Sequence, residues 1–254
     1  MIERDLRILL AHVSGQSQSF LLAHPEYAPS AAVSAQFEAL RQRYHAGEPL
    51  AYLLGEKGFW KYDFKVNAAT LIPRPETELL LELALEKVPP ASSVIELGVG
   101  SGCLGISLAL ERPDCNVLGV DISHAALALA QENADCLHVQ NIRFVCSDWF
   151  EQIPAQKVEA IISNPPYIRA HDPHLEALRY EPVAALVSGK SGLEAIELII
   201  QQGRSFLRPD GFLALEHGYD QAEAVQALFC QCAYREVETR LDLQGHPRVT
   251  LGWV

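Results

Sequence analysis

From Ala91 onward the chain alternates short strand-like runs with helical stripes, and this alternation restricts the fold more than any other feature. Runs rich in apolar and β-branched residues fall at 93–97, 116–121, 142–147, 158–163, 211–216, 235–241 and 248–254. Between most of them, at 103–111, 125–139, 193–207 and 221–232, apolar side chains recur at helical spacing, as in Leu193, Ile196, Ile199, Ile200 and Phe206. Repeated strand–helix–strand units predict a parallel sheet with helices on both faces. The last two strands are separated only by Leu243-Gln244-Gly245-His246-Pro247, too little for a crossover, and so predict an antiparallel terminal hairpin. The result is an α/β domain with a seven-strand sheet.

The N-terminal region has a different texture. Leu6, Leu9, Leu10 and Val13 share one helical stripe, and Val33, Phe37, Leu40 and Tyr44 another. His24-Pro25 and Ala28-Pro29-Ser30 break between them, with Ser30 placed to cap the second helix. Residues 55–66 then alternate aromatic or apolar residues with charges, which suits a short β-hairpin. Pro73-Arg74-Pro75 stiffens the chain ahead of a helix over 76–87. The expected organisation is a small helical domain plus hairpin connector at 1–72, and the α/β domain at 73–254.

Gly98-Val99-Gly100-Ser101-Gly102 lies between the first sheet strand and its helix. Glycines let the backbone approach a ligand closely. A glycine loop alone is often only a tight turn, but Asp121 closes the next strand, about 20 residues on, where this topology puts a carboxylate on ribose hydroxyls. The Gly-x-Gly-x-Gly spacing differs from the dinucleotide fingerprint, and no Lys-Ser/Thr follows, which excludes a phosphate-binding P-loop.

Asn164-Pro165-Pro166-Tyr167 follows the strand run 158–163, at the end where open α/β sheets bind ligands. Its chemistry suits methylation of a planar nitrogen, whose delocalised lone pair makes it a poor nucleophile. The Asn164 side-chain oxygen can accept from one N–H of such a group and the Pro165 carbonyl from the other. Two prolines keep the turn stiff and offer no competing N–H. Tyr167 offers a flat face for stacking.

Bulk properties narrow the reading. A chain of 254 residues, 49% apolar and 20% charged, can bury a sizeable core. No apolar run is long enough to span a bilayer, and Met1-Ile2-Glu3-Arg4-Asp5 lacks signal-peptide character, so the cytoplasm is the expected compartment. Cys103, Cys115, Cys136, Cys146, Cys230 and Cys232 form no Cys-x-x-Cys pair and are expected as reduced, buried thiols. The nine histidines show no ligand spacing, and no metal is expected. The net charge of −12 argues against stable nucleic-acid binding, with Arg41, Arg43, Lys57, Lys61 and Lys65 too sparse for a basic face. No apolar stripe is left unassigned, so a monomer is expected.

With these pieces placed, the chain resembles the release-factor glutamine methyltransferases, nearly end to end. The resemblance rests on Glu96-Leu97 with the glycine loop, on Asn164-Pro165-Pro166-Tyr167, and on Leu71-Ile72-Pro73-Arg74-Pro75-Glu76-Thr77-Glu78 before the first sheet strand. Asp148-Trp149, Tyr180-Glu181-Pro182, Gly189-x-x-Gly192-Leu193, Glu216-His217-Gly218 and Gly245-x-x-Arg248-Val249-Thr250 complete it. It implies a Rossmann-like class I methyltransferase domain that uses S-adenosylmethionine. It also implies an acceptor, the glutamine side-chain amide in the Gly-Gly-Gln tripeptide of peptide chain release factors. Gly98, Val99, Gly100, Ser101 and Gly102 would contact the methionine part of the cofactor, Asp121 its ribose, and Asp148 and Trp149 its adenine. Asn164 would lie against both cofactor and substrate, and Pro165, Pro166 and Tyr167 would hold the glutamine. Glu96 stands where the family usually has Asp, and Val99 where it has Thr.

The implied reaction is in-line displacement with positioning as the main tool. No strong general base is needed, and His171, His174 and His217 are read as surface or supporting groups. Two alternatives stand beside this reading. One is a nucleic-acid amino-methyltransferase acting on adenine N6 or guanine N2. The other is a cofactor-binding interaction protein without activity.

Overall fold

The structure is a computed structural model that describes residues 2–254. The chain divides between Lys57 and Gly58 into two compact units. The smaller consists of helices α1 (Ile2–Ser14), α2 (Gln18–Ala23), α3 (Ala31–His45) and α4 (Leu50–Leu54). Ser17 and Ser30 cap α2 and α3, their hydroxyl oxygens accepting from the amides of Phe20 at 3.0 Å and Val33 at 3.4 Å. Tyr44 of α3 donates its hydroxyl proton to Asp5 of α1 at 2.7 Å. Leu9 is fully buried, whereas Val33, Phe37 and Leu40 are only half-buried. The unit is therefore held by a thin layer of apolar contacts rather than a deep core.

The larger unit opens in the hairpin of β1 (Glu56–Phe59) and β2 (Tyr62–Lys65), which turns at Trp60 with φ of 57°. Its aromatic residues are not a loose connector. Phe59 and Phe64 are buried in the core of the larger unit. The Trp60 amide donates to Glu78 at 2.8 Å and the Lys65 amide to Asn133 at 2.8 Å. Helix α5 (Thr77–Lys87) then leads into the α/β fold.

Strands β3 (Ser93–Leu97), β4 (Asn116–Asp121), β5 (Ile142–Cys146), β6 (Val158–Ser163), β7 (Leu207–Glu216), β8 (Arg235–Leu241) and β9 (Pro247–Trp253) form one seven-stranded sheet in the order β5-β4-β3-β6-β7-β9-β8. The first five are parallel, and β9 runs antiparallel to both β7 and β8. Helices α6 (Cys103–Glu111), α7 (His124–Cys136), α8 (Glu194–Gly203) and α9 (Ala222–Gln231) supply the crossovers and cover the faces.

Strand alternation decides which side chain meets which layer. Val94, Ala160, Ile162, Phe212 and Ala214 pack with Leu80, Leu81 and Leu83 of α5 and Leu104, Ile106 and Leu108 of α6. Their strand neighbours Ile95, Leu97, Ile161, Leu213 and Leu215 pack instead with Ile196, Ile199 and Ile200 of α8 and Val225 and Phe229 of α9. By the same parity, Glu96 and Glu216 point to the face covered by α5 and α6. Each is a carboxylate on a strand whose other buried side chains on that face are apolar.

Three boundaries differ from the sequence expectation by three residues or more, each for a local reason. Strand β7 begins at Leu207 rather than 211, because a register shift against β6 and a left-handed Asp210 (φ 63°) absorb Pro209 inside it. Helix α7 stops at Cys136, since His138 is left-handed at φ 57°. Helix α8 tightens after Gly203 into a 3₁₀ turn over Arg204–Phe206.

The cysteines are free, but the expectation that all are buried fails. Cys115 is buried, while Cys136 and Cys230 are exposed. Both exposed residues lie at the outer edge of helical stripes whose apolar neighbours, Ala134 and Phe229, face the core. Among the described residues, no helix is long and apolar enough to cross a membrane.

Candidate active site

The C-terminal ends of β3, β4, β5 and β6 surround a cavity of about 560 Å³. The glycine loop forms its floor. The amides of Gly98 and Val99 donate back to the Val120 carbonyl at 2.8 and 3.1 Å, which bends the chain over the end of β4. Gly98, Gly100 and Gly102 all have positive φ. At Gly102 (φ +83°) a β-carbon would be strained and would lie 2.6 Å from Ile106 Cδ1, which would have to shift. At Gly100 (φ +56°) no protein atom lies within 4 Å of that position, which opens onto the cavity. A side chain there would be strained and would occupy ligand space.

Asp121 joins this loop directly. One carboxylate oxygen accepts from the Gly100 amide at 2.9 Å and the other from the Ser123 amide at 2.9 Å. A carboxylate has about four acceptor positions, so lone pairs remain for hydroxyl groups in the cavity. Asp148 and Trp149 line the neighbouring wall, after β5. Trp149 is left-handed (φ 48°), an unfavourable state for a bulky residue. Ser147 sustains it: its hydroxyl donates to the Trp149 carbonyl at 2.9 Å and accepts from the Gln152 amide at 3.0 Å.

Glu96 lies beneath the loop, 2% exposed, and one of its oxygens has no hydrogen-bond partner among the described residues. Burial pushes its pKa well above the usual carboxylate range, with Asp121 adding to the rise. Its extra methylene relative to Asp is accommodated by Gly105, where a β-carbon would sit 2.1 Å from Oε2. Glu96 itself borders the larger cavity, but its unpaired oxygen is the one packed against Gly105.

A second cavity of about 290 Å³ lies on the far side of Asn164. Asn164, Leu71, Arg74 and Ala185 line both spaces, whereas Pro165, Tyr167, Glu76, Glu216 and Arg248 line only the second. Asn164 thus stands at the junction. Its Nδ2 donates to the Thr77 hydroxyl at 2.9 Å, and Thr77 donates to Glu216 Oε2 at 2.7 Å. Tyr167 donates its hydroxyl to the other Glu216 oxygen at 3.2 Å. Burial raises the Glu216 pKa to about 7, partly opposed by the Thr77 and Tyr167 hydrogen bonds and by Arg248. Burial also raises the Tyr167 pKa, followed by the charge of Glu216, so the phenol keeps its proton.

The loop after Tyr167 folds back over the site. Ile168 donates to the Leu186 carbonyl at 2.9 Å, and Ser188 donates to Ile168 at 2.9 Å. Arg74, whose role the sequence left open, pairs with the buried Glu181 at 2.5 Å, while the Ile72 amide donates to the other Glu181 oxygen at 3.0 Å. This ties the Pro-Arg-Pro segment to the same loop. Glu76 occupies the N-cap position of α5 without a capping side-chain bond.

The residues expected to contact cofactor or glutamine border these two cavities or the turns that shape them, but Pro166, expected against the glutamine, lines the larger cavity and not the second. Sequence reasoning gave no chemical role to Thr77 or Glu216, although both lay in motifs quoted for the family. A carboxylate closing the apolar run Phe212-Leu213-Ala214-Leu215-Glu216 was the available signal. His217 is fully buried, with Nε2 2.9 Å from the Thr250 hydroxyl, and burial lowers its pKa. His174 is exposed beside Asp172.

A Rossmann-like seven-strand sheet with a glycine loop, a strand-end carboxylate and an Asn-Pro-Pro-Tyr turn defines a methyltransferase. Comparison with known proteins agrees: residues 75–180 match the family model "Methyltransferase small domain", and residues 2–55 match "PrmC N-terminal domain". The release factor glutamine methyltransferase of Escherichia coli (strain K12) is 45% identical over 252 residues, spanning 98% of this chain and 91% of that protein. The chain belongs to the release factor glutamine methyltransferase family. Among solved structures, a methyltransferase from Pyrococcus furiosus superposes with a TM-score of 0.61 at 15% identity, covering 84% of this chain and 98% of that one. The 16S rRNA N2 G1207 methyltransferase of Thermus thermophilus, solved with AdoMet and guanosine, gives 0.55 at 18% identity, covering 78% and 49%. At such identities these two share the fold.

Proposed function

We propose that this protein transfers a methyl group from S-adenosylmethionine to the side-chain amide nitrogen of the glutamine in the Gly-Gly-Gln tripeptide of peptide chain release factors. The observation that carries this reading is the pair of cavities meeting at Asn164, one bounded by the glycine loop and Asp121, the other by Pro165 and Tyr167. Membership of the family supports the acceptor.

The larger cavity fits the cofactor on two counts: its volume and the open approach at Gly100. Gly98, Val99, Gly100, Ser101 and Gly102 would hold its methionine portion, Asp121 its ribose, and Asp148 and Trp149 its adenine. When bound, it supplies an electrophilic methyl group on a sulfonium. In the second cavity, Asn164 Oδ1 and the Pro165 carbonyl accept the two N–H groups of the glutamine amide, which turns the nitrogen lone pair toward the first cavity. Tyr167 flanks the amide, while Pro166 borders the larger cavity. Alignment of this kind can lower a barrier by roughly 7–11 kcal/mol. The proton leaves easily once nitrogen is substituted, so a strong base is not required.

The unit ending at Lys57 is assigned to recognition of the release factor. A single glutamine offers few atoms to grip, and a second contact raises effective affinity without changing the chemistry. Arg41 and Arg43 are paired with Glu38 and Glu48, and Lys61 and Lys65 with Glu111 and Glu132. Such neutralised cations favour a protein over a nucleic-acid acceptor. A chain starting at Gly58, which keeps buried Phe59 and Phe64, is expected to bind S-adenosylmethionine normally but to methylate intact release factor poorly compared with a Gly-Gly-Gln peptide. Equal efficiency on the intact factor would remove the recognition role. The activity itself is tested by label transfer from S-adenosylmethionine to purified release factor, DNA and RNA in parallel. Labelled nucleic acid with unlabelled release factor would overturn the reading.

A further inference from the structure

We propose that Thr77, anchored by Glu216, is a positioning residue that fixes which end of the Asn164 amide faces the acceptor. The inference rests on the amide-methylation reading above and adds to it the device that makes Asn164 an acceptor rather than a donor.

An asparagine amide is nearly symmetrical in shape but opposite in chemistry at its two ends. With Oδ1 toward the second cavity, Asn164 accepts from the glutamine N–H. With Nδ2 there, it would present protons to protons and repel the acceptor. Packing cannot select between these orientations, because O and NH₂ fill almost the same space. Hydrogen-bond direction can.

The selecting chain runs from two buried residues to the half-buried Asn164. Glu216 is 1% exposed and Thr77 is 3% exposed. An ionised carboxylate only accepts, so Glu216 Oε2 draws the single Thr77 hydroxyl proton across 2.7 Å. The Thr77 oxygen then has only lone pairs to offer Asn164, which must answer with Nδ2, at 2.9 Å. Oδ1 is left facing away from Thr77. The other Glu216 oxygen accepts from Tyr167 at 3.2 Å, so one carboxylate orients both polar side chains of the Asn-Pro-Pro-Tyr turn. The fold supplies this arrangement by strand parity. Glu216 shares a face with Phe212 and Ala214, under α5, and Thr77 is the first residue of that helix. Glu216 ends β7 beside the end of β6, where Ser163 pairs with Leu215 just before Asn164.

The device depends on Glu216 being ionised. Protonated, it could donate to Thr77 and turn the whole chain around. The charged and titratable groups facing it are Glu76 and Tyr167, which border the same cavity, Arg248 of β9, Arg74 across the cavity and the Cys103 thiol of α6. Its sequence neighbour His217 has its pKa lowered by burial.

The test compares T77V, T77S and the unaltered protein on intact release factor, with S-adenosylmethionine affinity measured alongside. Valine keeps the shape of threonine and removes both the donor and the acceptor. T77V is expected to lose about 10- to 100-fold in kcat, the range that follows from leaving buried polar partners unsatisfied. Thr77 borders the larger cavity, but valine keeps its shape there, so S-adenosylmethionine affinity should stay within about twofold, and T77S, which restores the hydroxyl, should recover most of the rate. The proposal is overturned if T77V turns over like the unaltered protein, if T77S is as slow as T77V, or if cofactor binding falls in step with kcat. Failure of the unaltered protein to methylate release factor at all would instead strike the functional reading, and the relay with it.

Discussion

The two cavities that meet at Asn164 are built in opposite ways. The larger is shaped by backbone: a loop of left-handed glycines, amides folded onto the Val120 carbonyl, and one carboxylate holding the loop amide of Gly100. The smaller is shaped by side chains drawn together from distant parts of the chain. Thr77 reaches across 139 positions to Glu216, and Asn164 across 87 to Thr77. A backbone-built space suits a ligand that is the same in every turnover. A space built from a buried polar network fixes direction, because each hydrogen bond in it has a donor end and an acceptor end.

If that division is correct, substitutions on the two sides should separate cleanly. The largest separation is expected for N164A. Removing its oxygen should cut single-turnover methylation by about 100-fold or more, as loss of one transition-state hydrogen bond costs roughly 3 kcal/mol in comparable sites. Calorimetry should show S-adenosylmethionine binding largely intact. Near-normal turnover would mean that the acceptor is held elsewhere.

The next effect concerns stability. Burial raises Glu216 from its ordinary 4.5 to about 7, so the folded chain holds this proton more tightly than the unfolded chain. Its contribution is therefore fully present below pH 4.5 and is lost as pH rises through 7. The ionised state needed for catalysis is the one that weakens the fold. E216Q cannot titrate, and its stability relative to the unaltered protein should rise by about 2–3 kcal/mol between pH 5 and pH 8. Denaturant unfolding at the two pH values checks this, and a pH-independent difference would show that Glu216 does not titrate in this window.

On the cofactor side, D121A should weaken S-adenosylmethionine binding by about 1–3 kcal/mol, the usual loss for a charged hydrogen-bond partner. G100V should do at least as much, by straining the loop and filling the cavity. Once cofactor is saturating, turnover of D121A should lie close to normal. A folded D121A that binds normally but turns over slowly would reverse the assignment of sides.

The same contrast explains what could be read from the chain. Local pattern determines local structure, so strands such as 93–97 and 158–163 and helix 103–111 have the bounds the periodicity implies. The glycine loop and Asp121 were legible because their partners are about 20 residues apart in one strand–helix–strand unit. The Glu216–Thr77–Asn164 chain was not, since nothing local at Thr77 indicates a partner on the last parallel strand. The exposure of Cys230 beside buried Phe229 turns on one step of helical phase, which an apolar run does not reveal. Pro209 inside β7 was hidden by a bulge that only the pairing with β6 defines.

The account stands most directly on where the acceptor amide lies. A crystal structure of the protein with S-adenosylhomocysteine and a Gly-Gly-Gln peptide would show it. The glutamine nitrogen is predicted within about 3 Å of both Asn164 Oδ1 and the Pro165 carbonyl, on the side facing the first cavity. A glutamine seated away from Asn164, or one meeting the Asn164 amide while Thr77 accepts nothing from it, would contradict the account.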